Sequence, residues 1–598
     1  MQFSLDDPVT LDCEVYPNYF LVAFKRLSDG KIVTIETRGK NTHISIEDRK
    51  RLNSLMYKRT TFGFNSRNYD IPVIIAAEQS KTCNDIYRIS EYIITGNSHG
   101  WQTLQKFSLH LPREWKHFDI QEPAPGVKVS LKLYGGRMHS KRLQDLPIEP
   151  GTMLTEAQMD DIKEYCINDL NTNIDLYNRI KPQMQLRVDM SEEYGMDLMS
   201  KSDAQIAEAV IKRELQKRNP RGRYKAPNMM TGVSFKYTAP AYIEFKSDVL
   251  RHTLELILGA DFELNDKGSI ELPKELKQMK IKIGNSVYQL GIGGLHSKEK
   301  SQTIIPNKNQ VLADRDVASY YPRIILNLGL TPRHLGPEFL TVYEDIVNRR
   351  LAAKSAGQKI IAESLKIVVN GSFGKLGNKY SVLYSPDLMM TVTLTGQLAL
   401  LMLIERLEDD GIQVVSANTD GFVSLIQPLD YKMYDNICFD WELDTAFELE
   451  ETQYKALYSR DVNNYMAVTD DGVKGKGIFS QNPLAKNPVA PICIEAVEKL
   501  LVDNIPIRET IHNCEDLTKF LSVRTVNGGA VWKGEYLGRV VRWIFSTSGD
   551  KITYKKTGNK VANSDGARPI MELGSFPDDI NYDHYNHLSD EILGGLGL

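Results

Sequence analysis

The stretch VVSANTDGFV, Val414 to Val423, decides how this chain is read. Its β-branched residues break off at Asn-Thr-Asp-Gly and then become apolar again. That is the pattern of two strands joined by a tight turn through Asp420-Gly421. A hairpin tip is ordinarily solvated, and an Asp there ordinarily serves only the turn. A second strand-like run, QVLADRDVASYYP, carries Asp316 near its end and Asp314 two positions earlier on the same face. A strand ending in Asp316 and a hairpin tip carrying Asp420 can lie side by side in one sheet. Two acids brought together from distant segments suit hard divalent cations and phosphoryl transfer. Asp314 reads as a nearby solvated acid, or one a step removed from the ligands.

The rest of the chain bounds this reading. At 598 residues it is too long for one core, so several domains are expected. Lys plus Arg number 73 against 77 Asp plus Glu, a net charge of -4. Bulk charge therefore does not announce a nucleic-acid partner, which would need a local basic surface. Six cysteines without CxxC pairing exclude a standard zinc ribbon and fit a reducing compartment. No apolar run is expected to reach membrane-spanning length, and MQFSLDDPVT lacks signal-peptide character. The expectation is a cytoplasmic, monomeric multidomain protein with no membrane partner.

Strand-like patterns (LVAFKRL, KIVTIETR, IPVIIAA) precede helical periodicity around EAQMDDIKEYCINDLNTNIDLYNRIKPQM, an α/β domain over the first third. A lysine-rich connector follows, including LPKELKQMKIKIGNSVYQLGIGGLHSKEKS, the most basic part of the chain. Then come a long helical region, a helix buried by composition (LMMTVTLTGQLALLMLIERLEDDG) and the hairpin. The terminal SDEILGGLGL reads as a frayed end, with a docking peptide as the alternative.

A second set of acids lies upstream. Asp12 and Glu14 in TLDCEVY share one strand face, where they repel unless a cation lies between them. The alternative is an edge strand with two solvated acids. Asp70 precedes an apolar run, with Asn65 in the loop before it, and Tyr165 and Asp169 are stacked at i, i+4 on a helix. Between Asp316 and Asp420, Lys366 and Asn370 share a helix face that Arg350, Lys354 and Lys359 precede. With acids on either side, that face is a candidate clamp for a triphosphate.

Taken in order, the upstream pieces resemble the D-x-E, N-x-x-x-[FY]-D and Y-x-x-x-D motifs of DnaQ-like 3′–5′ proofreading nucleases. The resemblance implies that Asp12, Glu14, Asp70 and Asp169 hold two divalent ions. Tyr165 would position the attacking water, and Asn65 would contact a single-stranded substrate. Downstream, DVASYYPRII, KIVVNGSFG and ANTDG resemble motifs A, B and C of the family B DNA polymerases, DxxSLYPSI, KxxxNSxYG and DTDS. The likeness covers roughly residues 8 to 480. It implies an α/β and α+β multidomain fold, with an RNase H-like exonuclease followed by a right-hand polymerase. The divisions expected are exonuclease 1–195, linker and first palm segment 196–339, fingers hairpin 340–373, palm 374–480 and thumb 481–598.

By the same resemblance Asp316 and Asp420 hold two Mg²⁺ ions, Mn²⁺ being a substitute, with the Val317 carbonyl as a further ligand. Lys366 and Arg350 (or Arg349 in its place) contact the incoming dNTP, and Asn370 lines its pocket. Tyr321 packs beneath the sugar and excludes a 2′-hydroxyl, whereas Tyr320 is a core aromatic. Tyr465, Lys474 and Lys476 contact the primer terminus, and Gly293 and Gly294 let backbone approach template phosphates. The chain departs from the family at Gly371 (usually Ser), Phe373 (usually Tyr), Asn463 (usually Lys) and Asn418 (usually Asp). Asn418 is expected to accept a hydrogen bond from a metal-bound water, and so to tolerate replacement by Asp. About fifty residues separate Asp316 from Lys366, and again Asn370 from Asp420, leaving no room for protein-priming insertions. The expectation is a compact, phage-type replicative polymerase with proofreading, acting on primer–template DNA with replisome accessory proteins.

Overall fold

The structure, a computed structural model, describes residues 5–126, 129–480 and 484–598. They divide into two compact units, 5–202 with 484–589, and 203–480 with 590–598.

The first unit is built on a five-stranded sheet ordered Ile32–Arg38, Tyr19–Arg26, Val9–Tyr16, Thr61–Gly63, His117–Asp119. The first three strands pair antiparallel and the last two add in parallel. Val9–Tyr16 is central, so Asp12 and Glu14 do not lie on an edge. Leu11, Cys13 and Val15 face one apolar layer, which includes Ile71, Ile74 and Ile75. On the opposite face Leu21 and Ala23 pack against Met159, Ile162, Cys166 and Leu170 of the helix Glu156–Tyr194. Thr155 caps that helix with a reciprocal Gln158 contact, and Gly195 ends it at φ 63°. The helix therefore stops where the first domain boundary was expected.

IPVIIAA, expected as a strand, is instead the helix Asp70–Glu78, buried from Asp70 to Ala77. A run this uniformly apolar carries neither the two-residue nor the 3.6-residue period. Pro72 was the available signal, because proline fits a first helical turn and breaks a central strand.

Of the C-terminal segment expected as the thumb, 481–598, residues 484–589 group with the first unit. Residues 481–483, at its expected start, lie outside the described residues. The long hairpin Ser522–Trp532 and Glu535–Asp550 joins the first unit through Val523 and Val540, which pack with Leu143. The buried Arg542 donates to the carbonyls of Ser140 at 2.9 Å and Ile570 at 2.7 Å. The last nine residues group with the second unit and are not frayed. Leu596 is buried there, and its carbonyl accepts from Thr303 Oγ1 at 3.3 Å.

The second unit centres on a seven-stranded antiparallel sheet ordered Leu449–Tyr454, Val311–Val317, Gly421–Ile426, Gln413–Asn418, His296–Ser297, Ser286–Gln289, Ile281–Ile283. Both expected palm segments contribute strands. The helix Pro386–Asp409 is long and apolar enough to cross a membrane, contrary to the expectation from sequence. Its most apolar window is 83% buried within the protein, which makes it a core helix. A smaller sheet of Gln302–Ile304, Ala456–Asp461, Asn464–Thr469 and Gly472–Lys476 completes the strands around the site.

The expected helical hairpin is present as Glu338–Ser355 and Lys359–Leu376. A third helix, Asp203–Arg218, packs against both. This contact explains Gly371: a Cβ there would lie 2.9 Å from Ala207 Cβ and 3.0 Å from the Asp203 carbonyl. The small residue is required by a helix crossing. Gly371→Ser therefore destabilises the protein by about 1–3 kcal/mol despite serine's better helix propensity. Urea unfolding reads this directly, and a neutral or stabilising result would contradict the close crossing.

Candidate functional site

Chemistry-bearing side chains gather at one place in each unit. In the second unit, strand register creates the site. Asp316 pairs with Gly421 on one side and Glu450 on the other, and Asp314 pairs with Val423 and Thr452. The turn differs from the expected one, because Asn418 pairs directly with Gly421. The two turn residues are thus Thr419 and Asp420, with Thr419 at φ 59°, and Gly421 already belongs to the strand. Its glycine serves space: a Cβ at 421 would lie 2.0 Å from Asp316 Oδ1. The Asp316 carboxylate fills that gap beside Asp420. The Val317 N–H donates to the Asp420 carbonyl at 2.7 Å, which locks the turn to the end of the neighbouring strand.

The charge pattern follows from this crowding. Partial desolvation, then the Asp316 carboxylate, raise the Asp420 pKa. Asp314 is buried rather than solvated, and burial followed by Asp316 pushes it up to about 6. The Tyr454 hydroxyl donates to Asp314, and Lys474 Nζ stands 3.9 Å away. Lys476 lies over the Tyr465 ring, 5.7 Å from its centre. Glu450, opposite Asp316, was not anticipated, and it pairs with Lys354 of the helical hairpin at 3.4 Å. Its signal was too weak to find, since LEETQY shows no motif and only strand pairing brings it near Asp316.

Tyr320 is buried and donates to the Gly396 carbonyl at 2.6 Å. Tyr321 donates to the Gly293 carbonyl, and its ring lies 4.4 Å from that of Phe373. Gly294 fits beneath the turn, where a Cβ would lie 2.9 Å from Thr419 Cα. The GIGG segment therefore supports both Tyr321 and the Asp420 turn. On the helical hairpin, Arg350 donates to Ser319 Oγ at 2.9 Å, Lys366 faces Glu363 at 3.6 Å, and Asn370 is exposed.

The Asn418 amide, expected to accept from a metal-bound water, also has partners within the protein. Its Nδ2 donates to the Val462 carbonyl at 3.3 Å, and its Oδ1 accepts from Thr419 Oγ1 at 2.9 Å. A carboxylate would lose the donor and face a carbonyl. Asn418→Asp should accordingly lower stability by about 1–3 kcal/mol, the cost of a polar group left unsatisfied. An unchanged urea midpoint would refute this role.

In the first unit, ligand atoms of Asp12, Glu14 and Cys166 all lie within 4.8 Å of one another. Cys166 Sγ is 3.6 Å from Asp12 Oδ2. Burial raises the Asp12 pKa most, followed by the charges of Asp70, Asp169 and Glu14. Burial and then Asp169 raise that of Glu14. Lys132, missed from sequence, pairs with Asp169 and lies 4.1 Å from the centre of the Tyr165 ring. A lysine on a seven-residue helix carried no signal of this, whereas Cys166 at i, i+3 from Asp169 could have been found. The Asn65 loop is organised by Asp119, which accepts from the N–H groups of Asn65 at 2.9 Å and Arg67 at 3.0 Å. Asn65 stands at φ 55°, and its Oδ1 accepts from Asn68 Nδ2.

Asp70 Oδ1 is buried without a hydrogen-bond partner. A buried carboxylate oxygen with no donor, among mutually repelling acids, fits a divalent cation. Burial pushes the Asp70 pKa from 3.8 up to about 8. The native state then holds a proton that the unfolded chain releases above pH 4. In chelator, the Asp70 contribution to stability falls as pH rises from about 4 to about 8 and is constant beyond. Asp70→Asn should flatten this slope and raise the melting temperature at pH 8. Calorimetry with and without Mg²⁺ checks it, and a slope unchanged by Asp70→Asn would contradict the assignment.

No family model matches the chain. DNA polymerase 1 of Saccharolobus solfataricus is 24% identical over 167 residues, 27% of this chain. The match spans 18% of that relative's length. A solved family B DNA polymerase from the hyperthermophilic archaeon Pyrobaculum calidifontis superposes with a TM-score of 0.41 and 15% identity. That superposition covers 99% of this chain and 77% of the other.

Proposed function

We propose that this chain is a template-directed DNA polymerase of the family B type that edits its product with a 3′–5′ exonuclease. The observation that carries the reading is the Asp316–Gly421–Asp420 arrangement. Two acids 104 positions apart are forced together at a strand end, where Gly421 clears space for one of them. Asp316 and Asp420 would hold two Mg²⁺ or Mn²⁺ ions, with the Val317 carbonyl at the end of the same strand. Bound there, such ions neutralise charge developing on a transferring phosphoryl group.

The remaining roles belong to this chain's own groups. Tyr321, fixed by the Gly293 carbonyl and Phe373, forms a wall against a ribose 2′-hydroxyl. Arg350, Lys366 and Asn370 receive the dNTP from the helical hairpin. Tyr465, Lys474 and Lys476, on paired strands, hold the primer end. In the first unit Asp12, Glu14, Asp70 and Asp169 would hold the editing ions, and Lys132 balances Asp169 and orients the Tyr165 ring. Asn65, on the loop anchored by Asp119, meets the single strand. The substrates are primer–template DNA and dNTPs. The setting is phage or viral genome replication in a host cytoplasm, by a monomer working with accessory proteins. A non-catalytic single-strand-binding protein would need neither acidic set.

Primed single-stranded DNA with four dNTPs and Mg²⁺ tests the reading. The unmodified protein extends the primer, whereas Asp316→Ala and Asp420→Asn lose extension by roughly a thousandfold or more and still shorten a labelled 3′ end. Asp12→Ala shows the reverse split. Failure of the unmodified protein to extend overturns the proposal.

A further inference from the structure

Beyond the segment that supports the Asp420 turn, the lysine-rich connector carries Lys274 and Lys277. With Lys267 and Lys379 from outside that stretch, these lysines border two adjoining cavities of the second unit. One, of about 470 Å³, has an apolar floor that includes Ile292, Met389 and Leu394, with Lys267, Lys379 and Tyr380 at its edge. The other, of about 620 Å³, shares Leu272 with the first and is lined by Lys274, Lys277 and Gln289. No acid lines the first cavity. The acid of the second, Glu271, accepts from Asn265 Nδ2 at 3.1 Å. Among the described residues, none of these four lysines pairs with a carboxylate.

Tyr380 is 81% exposed, an unusual cost for a large aromatic, and Lys379 Nζ lies 5.5 Å from its ring centre. Gly374 lines the same cavity with open space at its Cα, so backbone can be approached closely. The wall is held firm: the Gln397 side chain accepts from the Gly291 N–H at 2.8 Å and donates to its carbonyl at 3.0 Å. Gly374 directly follows Phe373, whose ring contacts Tyr321. The groove and the proposed nucleotide pocket thus share the helix Lys359–Leu376.

We infer that this groove holds the unpaired template strand ahead of the nucleotide pocket, with a base stacked on Tyr380 and phosphates passing Lys379 and Lys267 toward Lys274 and Lys277. The inference rests on the polymerase reading and deepens it. A solvent-facing ring beside uncompensated ammonium groups is the chemistry that takes single-stranded nucleic acid, because every base offers a π-face and every nucleotide a phosphate. An apolar protein partner would leave four ammonium groups unmatched.

Fluorescence anisotropy on the full chain tests it, using primer–template duplexes in Ca²⁺ whose template overhangs are either one or roughly eight unpaired nucleotides. The unmodified protein should bind the long-overhang duplex about tenfold tighter than the short one. Tyr380→Ala should bring that ratio close to unity, and Tyr380→Trp should retain it. Lys267→Ala with Lys379→Ala should lower the ratio and its dependence on salt. Tyr380 is exposed, so its replacement leaves the core intact, and the Trp variant controls for folding. If the unmodified protein binds both duplexes equally, or Tyr380→Ala keeps the full ratio, the groove assignment is overturned and the polymerase reading stands. If neither duplex binds the unmodified protein, both fall together.

Discussion

Carboxylates forced together by strand pairing are the constraint on which the second unit is organised. Two like charges about 4 Å apart repel by roughly 4 kcal/mol at an effective dielectric near 20. A sheet tolerates this only if its register is fixed by something stronger. Here six consecutive pairs, from Val311↔Ile426 to Asp316↔Gly421, set that register. Leu312, Val415, Val423 and Tyr454 bury the same strands in one apolar cluster. A one-residue slip would turn this apolar set to the wrong face, so the core holds the acids where electrostatics alone would part them.

Each unit relieves part of the repulsion with its own groups and leaves part unrelieved. In the first, Lys132 pairs with Asp169 and also lowers the pKa values of Asp12 and Glu14, yet burial still raises those of all three acids and of Asp70. In the second, the Tyr454 hydroxyl and Lys474 attend to Asp314, leaving Asp316 and Asp420 at the open strand end. The neighbouring lysines lower the pKa values of Asp12, Glu14 and Asp420 without cancelling what burial raises. This is the distribution expected where cations are to bind.

Several departures from the familiar motif pattern have local explanations. Gly371 is small because another helix crosses over it, and Asn418 is an amide because it must donate to a carbonyl. Neither residue needs a role in chemistry to account for its identity. Both contacts join segments more than forty residues apart, so the motif itself could not disclose them.

The positions of the acids, the hairpin at Val414–Val423, the long helix carrying Tyr165 and Asp169, and the paired helices around Lys366 were legible in the sequence. Spacing and periodicity are local properties, and they survive without knowledge of neighbours. The helical state of IPVIIAA, the grouping of 484–589 with the first unit and the burial of the C-terminal residues were not legible. Nor were the partners Lys132, Glu450 and Tyr454. Each depends on which distant surface a segment meets, and a residue type does not encode that. By itself the sequence determined which carboxylates could act. Only the tertiary structure decided which of them are crowded, which are compensated and which backbone atoms hold them, because repulsion and burial act through space.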